Sequence, residues 1–554
     1  MGVVGDTCEF PLLTALCVPM RLPMEFSAMF SPFIRVRYSL RVTPFFCWFL
    51  LSFSLLSGGS HATAQPHIDL TALRPVWYGM YFGKDKVGYT SINFKTTRYQ
   101  NQPAIEMNSD ARMKLRVLGS EVEQISTQQT FMDVKGRILR EVMDIRSQAS
   151  RIHLEADFNY KSYKAECRFG TSDEKNKKTL DIPRDATIIG DTNLPTLGAK
   201  MRVGQRLTQY YLDPISITFQ KAIVDVTGRA KVRDLVTGRV VEVFVTTSNL
   251  SQMKMTSYEG EKDGMLRAEM GIGPIQIVMQ REPKERALNT KDFALLSLPN
   301  RKGNAYVPPK DFAVATAIVA DKTIEDPRKV RSLDVTISGI PHRDLVLSDD
   351  SQQVEITKEA KGAVEAEYHI RSTEFDASQS LSLPLNDTSL QPYLSKAPYL
   401  DIENPAIVDV ARKIRGDEKS LYKIATAIRD WVSNSMIPDP SIGVPRSATD
   451  IFNYRRGVCR DYATLFTAIA RAAGVPTRLC AGIVYAEGRF YYHAWVECYT
   501  GKWVVLDPTL YSTKSPTSYV DATHIKFAQG DVIEMFKSTA VVGKLGVKVL
   551  RFSN

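Results

Sequence analysis

From Trp77 to about Glu282 the chain alternates apolar and polar residues with a period of two. The clearest runs are Trp77 to Phe82, Lys86 to Phe94, Arg151 to Phe158, Ser216 to Val226 and Val240 to Thr247. In the third, Ile152, Leu154, Ala156 and Phe158 fall on one side and Arg151, His153 and Glu155 on the other. Successive side chains of a strand point to opposite faces, so the pattern predicts a sheet wet on one face. Gly83-Lys84-Asp85, Thr227-Gly228 and Glu259-Gly260 supply the turns. Residues 65–290 are therefore expected to form an antiparallel sheet or open barrel with its aromatics in the core. Shorter runs at Phe312 to Val319, Ser332 to Ile337, Val354 to Thr357 and Val364 to Ile370 predict a small sandwich-like β-domain over residues 291–400. His342 and His369 stand alone there and form no ligand set.

Near Asn404 the period changes to that of a helix. Pro405 suits a first helical position, and Leu421, Ile424, Ile428 and Trp431 share one face of the next helix. Another helix opens at Cys459, because Tyr462, Leu465, Phe466, Ile469 and Ala473 recur at helical spacing before Gly474 offers a stop. Asp461 complements the positive helix end and Gly457 takes the preceding turn. Strands follow at Thr477 to Val484, Phe490 to Cys498 and Trp503 to Leu506. The expected fold is multidomain: a mainly β N-terminal region, then an α+β C-terminal domain at 401–525 and an extension at 526–554.

A chain of 554 residues is too long for one core, which agrees with this division. Its net charge of +10 comes without a long Lys/Arg run, so the excess is read as spread over a solvated surface, with an anionic cell-envelope surface as the partner it would favour. The absence of zinc-finger spacing and of an aromatic-and-glycine RNA-binding signature excludes nucleic acid. Residues 1–64 end in the parts of a secretory signal: Arg35, Arg37 and Arg41, the apolar run Pro44 to Leu56, and Ala62-Thr63-Ala64. Cleavage is expected after Ala64, giving a periplasmic or secreted protein, with translation starting at Met24 or Met29; an uncleaved anchor is the alternative. Of seven cysteines, Cys8, Cys17 and Cys47 lie in this leader. Cys167, Cys459, Cys480 and Cys498 show no metal-like spacing, so no metal or cofactor is expected. Cys480 and Cys498 are read as two separate buried thiols, a disulfide being the alternative.

Period-two alternation places His493, Trp495 and Glu497 on one face of their strand and Trp503, Val505 and Asp507 on one face of the next. A thiol of pKa about 8.5 is only a few per cent ionised at neutral pH, and a paired imidazolium corrects that. The combination predicts Cys459 as nucleophile, His493 as acid and base, and Asp507 as the carboxylate that orients the imidazole. The backbone N–H of Cys459 is the expected oxyanion donor. Trp431, in its helical context, reads as a core-packing indole. Arg460 is expected to face solvent and Glu497 to make a structural hydrogen bond or ion pair.

Four segments carry a family resemblance: Gly457-Val458-Cys459-Arg460-Asp461-Tyr462-Ala463, Ala472-Ala473-Gly474-Val475-Pro476-Thr477-Arg478, His493-Ala494-Trp495-Val496-Glu497 and Leu506-Asp507-Pro508-Thr509. Over about residues 401–525 the chain resembles the bacterial transglutaminase-like superfamily. The resemblance implies a papain-like Cys-His-Asp core built on the same three residues. It does not choose the reaction, because the superfamily holds cross-linking acyltransferases, peptidases, amide hydrolases and members with no activity. The expected function is that of an exported thiol enzyme forming an acyl-enzyme from a protein or peptide substrate, with hydrolysis favoured over cross-linking because water is always at hand. The rival is a catalytically silent envelope binding or assembly protein using these domains as interaction modules.

Overall fold

The computed structural model describes residues 74–289 and 311–554, apart from 149, 172–175, 185–186, 189–200, 251–252, 262, 273–274, 361 and 373. The leader read from the sequence lies outside the described residues. The N-terminal region is a 15-stranded sheet running from β1 (Val76–Phe82) to β15 (Ile275–Arg281). Two antiparallel meanders meet where β1 pairs with β15, which leaves β8 (Asn176–Asp181) and β9 (Thr187–Ile188) at the edges. The alternation read from the sequence is physical: in β6 (Ser150–Asn159), Ile152, Leu154, Ala156 and Phe158 are buried while Arg151 is exposed. The edges curl towards each other. Lys178 on β8 donates to the carbonyl of Ile217 at 2.9 Å, just before β11 (Thr218–Arg233), and the rings of Phe158 and Phe219 lie 6.1 Å apart. The result is an open barrel followed by a short helix α1 (Lys284–Ala287).

The run from Phe312 to Val319 is not a single strand. Phe312–Thr316 forms helix α2, capped by the Asp311 carboxylate, which accepts from the Val314 N–H, and only Ile318–Val319 (β16) is extended. A short apolar run reads alike in both periods, and the Asp cap decides it. Nor do the next strands make a sandwich. β17 (Ser332–Ile340), β18 (Gln352–Ala360) and β19 (Ala363–Arg371) form one sheet in the order β18-β19-β17-β26, completed by β26 (Gly546–Ser553) from the chain's last residues.

Helices α3 (Pro405–Arg415) and α4 (Leu421–Ser435) are capped by Asn404 and Ser420. A two-stranded pair, β20 (Ile437–Pro438) with β21 (Arg456–Gly457), encloses α5 (Ala448–Tyr454) and leads into α6 (Cys459–Ala472), whose residues are buried almost throughout. A five-stranded sheet receives them: β16, β23 (Arg489–Tyr499), β22 (Thr477–Ala486) and β25 (Ile525–Gly530) in that order, with β24 (Trp503–Leu506) pairing β23. Helix α7 (Val532–Met535) follows β25. Strand β25 crosses the expected boundary at residue 525 and ends the five-stranded sheet, and β26 after it completes the four-stranded one. Among the described residues no helix is long and apolar enough to cross a membrane.

Candidate active site

Cys459 is the first residue of α6. The helix starts there because the Asp461 carboxylate turns back to accept from the Val458 N–H at 3.1 Å. Arg446 holds the same oxygen at 3.0 Å, with both side chains sealed from water. Gly457 is needed for space and not for backbone conformation, since its φ is not positive; a Cβ there would sit 2.5 Å from Asp461 Oδ2 and 2.8 Å from Arg446 Nη2. Arg460 does not face solvent. It is buried, and its Nη2 donates to the Val444 carbonyl at 2.9 Å beside the Asp461 carboxylate. Desolvating a guanidinium is tolerable only with such partners.

The hairpin of β22 and β23 brings His493 opposite Gly482, with the neighbouring Ala494 reaching the helix start: its N–H donates to Cys459 Sγ at 3.0 Å. His493 Nε2 donates to Asp507 Oδ2 at 2.8 Å, which leaves Nδ1 for the interaction with Cys459. The Asp507 Oδ1 accepts from the N–H groups of Thr509 and Leu510 at 2.7 and 3.2 Å. The structure therefore brings Cys459, His493 and Asp507 together, all buried. Burial is the largest influence on His493 and opposes its charge, but Cys459 and Asp507 outweigh it and raise the imidazole to about 10. Burial likewise opposes the Asp507 charge, yet the His493 and His524 rings hold this carboxyl well below its usual range.

The other three described cysteines are buried free thiols. Burial pushes Cys167 and Cys498 up to about 12 and Cys480 well above its ordinary value, so none is a nucleophile at neutral pH. Trp431 stacks on Phe452 at 6.1 Å under the Arg455 guanidinium, as a core-packing indole would. Glu497 pairs with Arg478 Nη2 and Lys526 Nζ, each at 2.5 Å, and Lys526 reaches Asp349 at 2.5 Å.

Sequence reasoning missed His524. Its Nε2 donates to the same Asp507 oxygen at 3.1 Å, and its ring meets those of Trp495 and His493 edge-on at 5.2 and 5.6 Å. No motif marks it. A glycine does: a Cβ at Gly482 would lie 1.8 Å from the Ile525 carbonyl, so only glycine lets the start of β25 come this close to β22, the neighbour of the histidine strand. His493, Asp507 and His524 also offer three atoms within 4.8 Å of one another, but their hydrogen bonds already account for that spacing.

The thiol is covered. Cys459 and His493 are 0% exposed. The segment from Asp439 to Arg446 wraps the helix start, with the Asp439 N–H donating to the Gly457 carbonyl at 2.8 Å. Gly443 in this segment abuts the N-terminal sheet so closely that a Cβ would sit 2.9 Å from Ser147 Oγ and 3.1 Å from Val122 Cγ1.

Residues 408–508 match the model of the transglutaminase-like superfamily. An uncharacterized protein of Mycobacterium leprae is 25% identical over 179 residues, an alignment covering 27% of this chain; the chain spans 63% of that relative's length. Among solved structures, a protein from Cytophaga hutchinsonii described as a proposed cysteine protease is 22% identical with a TM-score of 0.28, covering 41% of this chain and 85% of that one. A β-barrel-like protein of unknown function from Brucella abortus is 10% identical with a TM-score of 0.29, covering 37% and 94%. Residues 408–508 are thus similar to a transglutaminase-like core, behind a β-rich N-terminal region.

Proposed function

We propose that the transglutaminase-like core is an acyl-transfer enzyme acting on amide bonds of a protein or peptide, with Cys459 as nucleophile, His493 as acid and base, and Asp507 orienting the imidazole. The observation that carries this reading is the position of Cys459 Sγ, which takes an N–H at 3.0 Å beside an imidazole held by a carboxylate at 2.8 Å. The thiolate attacks the amide carbonyl carbon, and the C–N bond breaks as His493 gives its proton to the leaving amine. Neutral His493 then takes a proton from water, whose oxygen displaces the sulfur and frees the acid. Hydrolysis is favoured over transfer to a lysine-like amine, because no group at the site specifies an amine pocket.

A thiol-directed amide probe labels the wild-type protein and not Cys459→Ala; equal labelling of both removes Cys459 as the nucleophile. Ammonia release with and without an added amine then separates cross-linking from hydrolysis. The leader read over residues 1–64 supports an exported setting, which N-terminal sequencing of the mature protein tests at Ala64. Its positive charge suits an anionic envelope surface, and binding to envelope fragments that ignores ionic strength would refute that part.

The sealed thiol favours a second reading, in which the core is an interaction module of an envelope binding or assembly protein. Cellular function that survives Cys459→Ala but is lost on removal of residues 65–290 would establish it.

A further inference from the structure

His524 has no part in the three-residue scheme, yet it touches the scheme's carboxylate. Its Nε2 lies 3.1 Å from Asp507 Oδ2, and its Nδ1 lies 3.1 Å from the backbone carbonyl of Asp521 and 3.5 Å from that residue's Oδ1. A carbonyl oxygen and an ionised carboxylate only accept hydrogen bonds. Both ring nitrogens must therefore carry a proton, which makes this imidazole a cation. Asp521 in turn pairs with Arg328 Nη1 at 2.8 Å. The groups form a chain in which cations and anions alternate beyond the sulfur: Cys459, the His493 imidazolium, the Asp507 carboxylate, the His524 imidazolium, the Asp521 carboxylate and the Arg328 guanidinium.

We propose that His524 is a fourth, positioning member of the site, whose positive charge steadies Asp507 and favours the deprotonated sulfur of Cys459. The inference rests on the reading of Cys459 and His493 as an ion pair. In this role His524 shares the Asp507 charge with His493 and keeps that imidazole from holding its proton too tightly to release it to a leaving group. Burial opposes the His524 charge and is the largest influence on it, but Asp521 and Asp507 outweigh it and raise the ring above its ordinary value. The ring is not isolated from solvent protons. It forms part of the wall of a cavity of about 250 Å³ between the catalytic sheet and the four-stranded sheet. The other charged groups there are Asp350, Arg371 and Lys502, together with Glu497 and Lys526, which pair with each other.

The test needs no substrate. Thiolate absorbance near 240 nm is titrated in the full chain, with the matching Cys459→Ser protein subtracted. His524→Gln keeps one N–H donor towards Asp507 and removes the charge. The thiolate midpoint is expected to rise by about one pH unit, since a lost cation disfavours a nearby anion. Asp521→Asn, which weakens the hold on the cation from its other side, is expected to give a smaller rise. An unmoved midpoint in a folded His524→Gln protein overturns the proposal; if that variant does not fold, Asp521→Asn decides in the same way. A titration that shifts while amide turnover is nil sinks the acyl-transfer reading and leaves the role of His524 standing.

Discussion

Glu259 in the N-terminal sheet and Asp507 in the catalytic core are carboxyls removed from water to nearly the same degree, 5% and 3% exposed, yet they ionise in opposite directions. Burial acts on Glu259 without opposition and pushes it up to about 8, so it is neutral at pH 7. The same influence acts on Asp507 and is overcome. Partners make the difference, and topology supplies them. In a sheet of successive hairpins each residue meets what register places opposite it, and Glu259 meets Phe244 and Met265, whose side chains donate nothing. Asp507 draws on β23, on the turn that follows it and on the segment before β25. Burial raises the stakes of an ionisable group, and the neighbours decide the outcome.

The sharpest way to break this contrast is Asp507→Asn, which keeps the shape and removes the acceptor that orients both imidazoles. Amide turnover is expected to fall by about 10³- to 10⁴-fold with unchanged circular dichroism; retained turnover would mean that Asp507 is structural. A smaller effect is expected next door at Glu497→Ala, which leaves Lys526 and Arg478 to share Asp349 alone. Removing one partner of a buried pair costs about 3–5 kcal/mol, read here from denaturant unfolding, and amide turnover below the new transition should persist. The smallest belongs to Glu259→Gln. Because the folded carboxyl is raised from 4.5 to about 8, its contribution is fully present below pH 4.5 and is lost as pH rises towards 8. The variant should flatten that slope between pH 4.5 and 8 while leaving amide turnover unchanged. An unchanged slope would give Glu259 a partner and collapse the comparison.

Local pattern made much of this molecule legible. The alternation of Ile152, Leu154, Ala156 and Phe158 marks a buried face because a strand has no other way to place those residues. Helical spacing after Cys459 marks α6 for the same kind of reason. The misreadings share a cause. Phe312 to Thr316 became a helix through one cap. Arg460 went inside because Val444 and Asp461 receive it there. Residues 546–553 became the edge of a sheet whose other strands lie some two hundred positions earlier, a pairing that no local period encodes.

By itself the sequence determined the elements, the helix start that carries Cys459, and the strand faces that carry His493 and Asp507, because each follows from interactions within one or two turns of chain. Only the tertiary structure decided that the thiol is sealed, that Arg460 is internal and that His524 shares the catalytic carboxylate. Those outcomes rest on close approach between distant segments, and at Gly482 on the absence of a single Cβ where the Ile525 carbonyl passes.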